Sequence, residues 1–264
     1  MKFEEVRFEE PTKFLDIKNS EPTPQEALGI TLRFSKPKNG KLEYIEKTQI
    51  FVQIEKKEGL PISFATRNEQ IFEDGKTGDS WLLRNITTVE DSPEQKSDTE
   101  IEMNSRGEIL RFIRGEHMTK DGKLIIQDWK REAIFPDFPV KAGDKWKYKE
   151  SIDTKLHSFW IKRENESPDS VEVACTLEGF ADVNGKRCAI ISSRIKSVKE
   201  EKISAIFKKI QLRVTSFGTE KMYFDYKEGC MIGKIVETKH FTISAKGDFS
   251  DYTESQTITV LRNL

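Results

Sequence analysis

The chain has 264 residues, with 44 lysines and arginines against 45 aspartates and glutamates, for a formal net charge of −1. That balance excludes the basic excess a phosphate-binding groove requires. Hydrophobic residues make up 36% and aromatic ones 10% of the chain, too many core-forming side chains for a disordered protein, and no run of 18 apolar residues is present to span a membrane as a helix.

Residues 1–37 hold Pro11, Pro22, Pro24 and Pro37 among charged residues. They read as an irregular N-terminal arm with one short extended piece (Ile30, Leu32, Phe34) laid over the main body. Met1-Lys2-Phe3-Glu4-Glu5 is acidic and polar where a signal peptide is basic and then apolar. A cytoplasmic chain and one whose leader has been removed both fit it.

Lys38-Asn39-Gly40-Lys41 then leads into residues 42–55, where Tyr44, Ile50, Val52 and Ile54 alternate with polar residues, the mark of a strand with one wet face. Strands follow at 62–71 and, after the turn Asp74-Gly75-Lys76-Thr77-Gly78, at 80–89. Residues 91–98 read as a polar loop. Residues 99–103 and 108–113 form a hairpin across Asn104-Ser105-Arg106-Gly107, where Gly107 takes positive φ. Residues 123–134, with Trp129, fit a short helix or an extended crossing equally.

Phe135-Pro-Asp-Phe-Pro-Val-Lys-Ala-Gly-Asp-Lys-Trp146 marks the middle of the chain. Pro136 and Pro139 remove two backbone donors, Gly143 permits a turn, and a strand starts at Trp146. The boundaries are therefore an arm at 1–37, a first β half at 38–135 and a second at 136–264, two pseudo-repeats of one continuous domain.

The second half has strands at 146–153 and 158–164, then a hairpin at Asn184-Gly185. A plain two-residue turn would set Val173, Cys175 and Leu177 opposite Lys196, Arg194 and Ser192. One extra residue at Gly179 instead pairs Val173 with Ile195 and Leu177 with Ile191, so a β-bulge is expected there. Residues 199–210 carry Ile203, Ile206, Phe207 and Ile210 at helical spacing and fit a short amphipathic helix, although Leu212 and Val214 announce a strand. The hairpin 222–236 resembles the one at 99–113, and 238–245 and 256–261 supply closing strands. The expected fold is mainly β: a large curved antiparallel sheet of about twelve strands, an incomplete barrel with one or two short helices.

Catalytic signatures are absent. His117, His157 and His240 are far apart, no Gly-x-Ser-x-Gly elbow occurs, and the glycines are scattered singly at turns. No catalytic residue, metal ligand or cofactor is assigned, and the chain reads as a non-enzyme. Glu100 with Glu102, and Asp225 beside Tyr226, are acidic groupings that a carboxylate-dependent hydrolase would use. Acidic residues are abundant enough to supply such pairs by chance. Cys175, Cys188 and Cys230 make an odd count, and Cys188 falls near Ala181 rather than Cys175, so three reduced, buried thiols are expected. The aromatic residues Trp81, Trp146, Trp160, Phe224 and Tyr226 fall on strands or their ends and are the candidate ligand-binding set, lining a concave face.

Phe138-Pro-Val-Lys-Ala-Gly-Asp-Lys-Trp146, then Leu177-Glu-Gly-Phe-Ala-Asp-Val-Asn-Gly-Lys186 and Met222-Tyr-Phe-Asp225, resembles the second half of a group of uncharacterised bacterial exported proteins. That group is similar to the lipoprotein-carrier (LolA-like) architecture, an incomplete antiparallel barrel around helices. The resemblance implies a periplasmic or cell-surface protein handling lipid or a lipidated partner, with a cytoplasmic location as the alternative. The expected function is binding of an apolar ligand, a lipid or acyl chain, on a concave β face. Its competitors are a structural or protein-interaction module with a packed core and a hydrolase using Glu100, Glu102 or Asp225. Expected partners are the apolar ligand and another envelope protein, with neither nucleic acid nor a transmembrane segment.

Overall fold

A computed structural model describes residues 8, 10–54, 59–115, 134–152, 162–163, 169–205, 208–244, 246 and 250–263. After β1 (Ile17–Ser20) and one short helix, α1 (Pro24–Leu28), the first half runs through β2 (Lys41–Ile54), β3 (Leu60–Asp74), β4 (Ser80–Val89), β5 (Ser92–Asn104) and β6 (Ile109–Arg114). The second half runs through β7 (Lys145–Ile152), β8 (Lys162–Arg163), β9 (Asp169–Val183), β10 (Lys186–Ala205), β11 (Lys208–Asp225), β12 (Cys230–Ser244) and β13 (Ser250–Asn263).

All thirteen belong to one antiparallel sheet, ordered β1-β9-β10-β11-β12-β13-β2-β3-β4-β5-β6, with β7 also on β9 and β8 on β10. Each half is a meander of short turns, and the two join where β13 pairs with β2. The curved sheet does not close, because β1 and β7 end one side and β6 the other.

Several turn cues act as expected. Val183 pairs with Lys186 across Asn184 (φ 49°) and Gly185 (φ 77°), the left-handed pair a two-residue hairpin needs. The bulge is present, its extra residue being Glu178 rather than the adjoining Gly179, which faces Ile190, and it sets Leu177 opposite Ile191 and Val173 opposite Ile195. Cys188 pairs with Ala181.

Two expectations need correction. Residues 92–98, read as part of a polar loop, belong to β5, held by bonds of 2.9 and 2.6 Å from Arg84 Nε and Nη2 to Asp98. Both faces of the sheet are wet there, so no apolar alternation signals the strand. The described residues of 199–210 are strand rather than helix: β10 continues to Ala205, β11 starts at Lys208, and Ile203 pairs with Ile210. A strand pair can carry apolar residues at helical spacing, and Ile206 and Phe207 lie outside the described residues. The helix forms at 24–28 instead, where Thr23 and Glu26 make a capping box, Glu26 N–H to Thr23 Oγ1 at 3.3 Å and Thr23 N–H to Glu26 Oε2 at 2.6 Å. Residues 123–133 and most of 158–164 lie outside the described residues.

Register sorts the side chains onto two faces. The inner face takes Leu42, Tyr44, Leu83, Ile101, Met103 and Phe224, all buried. It is covered by two straps, residues 29–36 and 134–144. They meet through an antiparallel bridge, Ile30 N–H to Val140 O at 2.9 Å and the reverse at 2.8 Å. Hairpin turns hold them down: Phe34 N–H reaches Ser105 O (2.7 Å), Ser35 N–H reaches Gly229 O (2.9 Å) and Phe135 N–H reaches Arg106 O (2.8 Å). The arm thus lies on the body, and it also crosses the outer face, where Leu15 packs on Gly233 and Lys47 Nζ sits 4.4 Å above the Phe14 ring.

Gly229 marks the tightest approach of strap to turn. Its φ is +70°, and a Cβ there would meet Ser35 Oγ at 2.4 Å and Ser35 N at 2.7 Å. Gly229→Ala is therefore expected to cost about 2–4 kcal/mol, left-handed strain plus overpacking. Gly143→Ala, at φ +92° with no atom near, should cost only the strain, about 1–2 kcal/mol. Urea unfolding of both variants checks the difference.

Candidate functional site

Beyond the straps the inner face changes character. The strands continue, but their inward residues become hydroxyls and amides: Thr48 on β2, Thr66 and Asn68 on β3, Thr87 on β4, Thr257 and Thr259 on β13. A hollow of about 470 Å³ opens here, lined by Leu83, Ile101, Met103 and Met231, by these polar residues, and beyond them by Ile50 and by Phe64, which stands opposite Thr48. β-Branched threonine suits a strand and satisfies its hydroxyl across the ladder. Thr48 and Thr257 share a 3.0 Å bond, and Thr259 and Thr66 donate to the two oxygens of Glu46 at 2.9 and 3.5 Å. Lys234 lies in the same wall, buried opposite Thr259.

The candidate aromatic residues lie elsewhere. Phe224 is fully buried, in contact with Phe34 and Phe135. Trp146 is buried and donates from Nε1 to Ile134 O at 2.9 Å. Trp81 is buried opposite Met103, its Nε1 without an acceptor. Tyr226 is half-buried and donates to Glu26 Oε1 at 2.7 Å. Trp160 lies outside the described residues. None of the four described aromatics lines the 470 Å³ hollow; the threonine-rich alternation on β2, β3, β4 and β13 was its sequence signal.

The carboxylates considered for hydrolysis are tied down. Glu102 accepts from Lys76 N–H and Ser80 Oγ, both at 2.9 Å, and from Arg111 Nε. The Lys76 N–H and Arg111 hold its carboxyl down at about 2. Glu100 accepts from Arg114 Nε at 2.8 Å. Asp225 caps the following turn, accepting from Lys227 and Glu228 N–H at 3.0 Å each. Cys175, Cys188 and Cys230 are free and buried, their thiols pushed up to about 12 chiefly by burial. Among the described residues no group of His, Cys, Asp and Glu is placed to hold a metal ion, and no helix is long and apolar enough to cross a membrane.

Fold and hollow together define an all-β protein of one open antiparallel sheet with two straps across its inner face. No protein-family model and no curated protein sequence matches the chain.

Proposed function

We propose that the protein is a non-catalytic binding protein of the bacterial envelope whose inner face takes one apolar or amphiphilic molecule, a lipid or acyl chain. The observation that carries this reading is the hollow itself, greasy at Leu83, Ile101, Met103, Ile50 and Phe64, with the hydroxyls of Thr48, Thr87 and Thr257 among them. Such a mixed lining suits a molecule with both apolar and polar parts. Its 470 Å³ falls within the roughly 300–1,000 Å³ of small-molecule sites, and each methylene withdrawn from water contributes about 0.8 kcal/mol. The envelope assignment rests on the resemblance of the turn motifs at 138–146, 177–186 and 222–225.

Native mass spectrometry of protein purified without detergent should reveal a retained amphiphile. After solvent extraction, a fluorescent fatty acid should bind, and Thr87→Trp, which projects a large side chain into the hollow from a partly exposed position, should weaken that binding at least about ten-fold with little change in melting temperature. A wild-type chain that retains nothing and binds no probe would instead favour a structural or interaction module, whose packed interior is the region under the straps.

A further inference from the structure

The outer face of the long strands carries a cluster that neither the core nor the hollow uses. Val198 on β10, Phe217 on β11 and Ile243 on β12 are 49%, 40% and 46% exposed. Register places them together: Val198 faces Thr215, Thr215 faces Phe241, and Ile243 faces Arg213. Cations are interleaved with them. Lys196 and Lys239 flank Phe217 on its two sides, with Lys196 Nζ 5.5 Å from the ring centre and Lys239 paired with Glu254 at 2.7 Å, and Arg213 stands beside Ile243. From Phe217 a row of rings runs across four strands of the same face, Phe217 to Phe241 (6.3 Å), Phe241 to Tyr252 (4.9 Å) and Tyr252 to Phe51 (6.5 Å).

We propose that this patch docks the protein on the surface of an anionic lipid bilayer, Phe217, Val198 and Ile243 entering the headgroup region while Lys196 and Arg213 face lipid phosphates. An exposed apolar cluster marks an interaction site. Charge decides the occupant. The core of a protein–protein interface is depleted in lysine, whereas here Lys196 and Lys239 lie on either side of Phe217, and Lys196 keeps its charge beside the ring. Headgroups of anionic lipids are complementary to that pattern, and each lysine or arginine near such a surface contributes about 1 kcal/mol. Tyr252 and Thr257 alternate to opposite sides of β13, so docking by the outer face leaves the hollow open on the other. The docking goes beyond ligand binding and stands without it.

Flotation of the full chain with phosphatidylcholine vesicles, with and without phosphatidylglycerol, tests it. Binding should require phosphatidylglycerol and fall as salt is raised. Lys196→Gln should weaken it about five-fold, and Phe217→Ser should weaken it even in low salt, while probe binding in the hollow persists in both variants. Equal binding to both vesicle types, or none, overturns the proposal. So does sedimentation equilibrium showing a dimer that Phe217→Ser dissociates, because the patch would then join two copies of the chain.

Discussion

Replacing Arg187 with alanine is expected to destabilise the protein by about 3–5 kcal/mol, the cost of leaving one member of a buried ion pair alone. At roughly 2–4 °C per kcal/mol for a chain of this size, the melting temperature should fall by about 10 °C. Arg187 donates from Nε and Nη2 to the two oxygens of Glu26, at 2.9 and 2.8 Å, and Glu26 is only 1% exposed. The same guanidinium lies 5.4 Å from the Phe180 ring centre and reaches Glu21 O at 2.8 Å. One side chain on β10 therefore fastens α1, and with it the arm, to the sheet.

The pH dependence follows from the same contact. Arg187 above all, helped by the Thr23 N–H and Tyr226, holds the Glu26 carboxyl down from 4.5 to about 2. A folded-state value below the unfolded one means the stabilisation is fully present above pH 4.5 and is lost as pH falls towards 2. Its size is roughly 3 kcal/mol, at about 1.4 kcal/mol per unit. Other ion-paired carboxylates titrate in this window too, so the difference between wild type and Glu26→Gln isolates the contribution. Urea unfolding at pH 7 and pH 3 should show the wild type losing more than Glu26→Gln. Equal losses would show that the pair does not hold the arm.

Phe135→Ala and Phe224→Ala are each expected to cost about 3–5 kcal/mol, as large-to-small changes at filled positions. Phe34 and Phe135 stack with centroids 4.7 Å apart, and Phe224 meets both edge-on at 5.2 and 4.7 Å. Both straps thus close on one residue of β11. The double variant should fall short of the summed losses by about 0.5–1.5 kcal/mol, the coupling of aromatic pairs in contact. Losses that simply add would mean the straps pack independently.

What could be read from the chain was what neighbouring residues decide. Asn184-Gly185 names its own turn, and once that turn is placed the apolar partners of Val173 and Leu177 force a bulge, which falls at Glu178 beside Gly179. Residues 92–98 hid because their strand has Ser97 facing the hollow and Asp98 facing Arg84, with no greasy side to betray it. The capping box at Thr23 and Glu26 was legible and went unread among the surrounding prolines. The Glu26–Arg187 pair spans 161 residues, beyond any local pattern. The spacing of the aromatic residues shows which face they occupy, not that Phe34 and Phe135 arrive from elsewhere to pack on Phe224. The hollow itself was announced by threonine, a residue equally at home on any wet strand.

The seam between β13 and β2 sets the order in which the molecule can be finished. Thr259 bonds to Glu46 across 213 residues of chain. At about 5–20 residues per second on the ribosome, β2 waits roughly 10–40 s with one edge bare before its partner emerges. Such long-range pairing is slow to form, and a bare edge invites neighbouring nascent chains. A chaperone that shelters β2 during that interval should raise the yield of native protein more than one that acts after release.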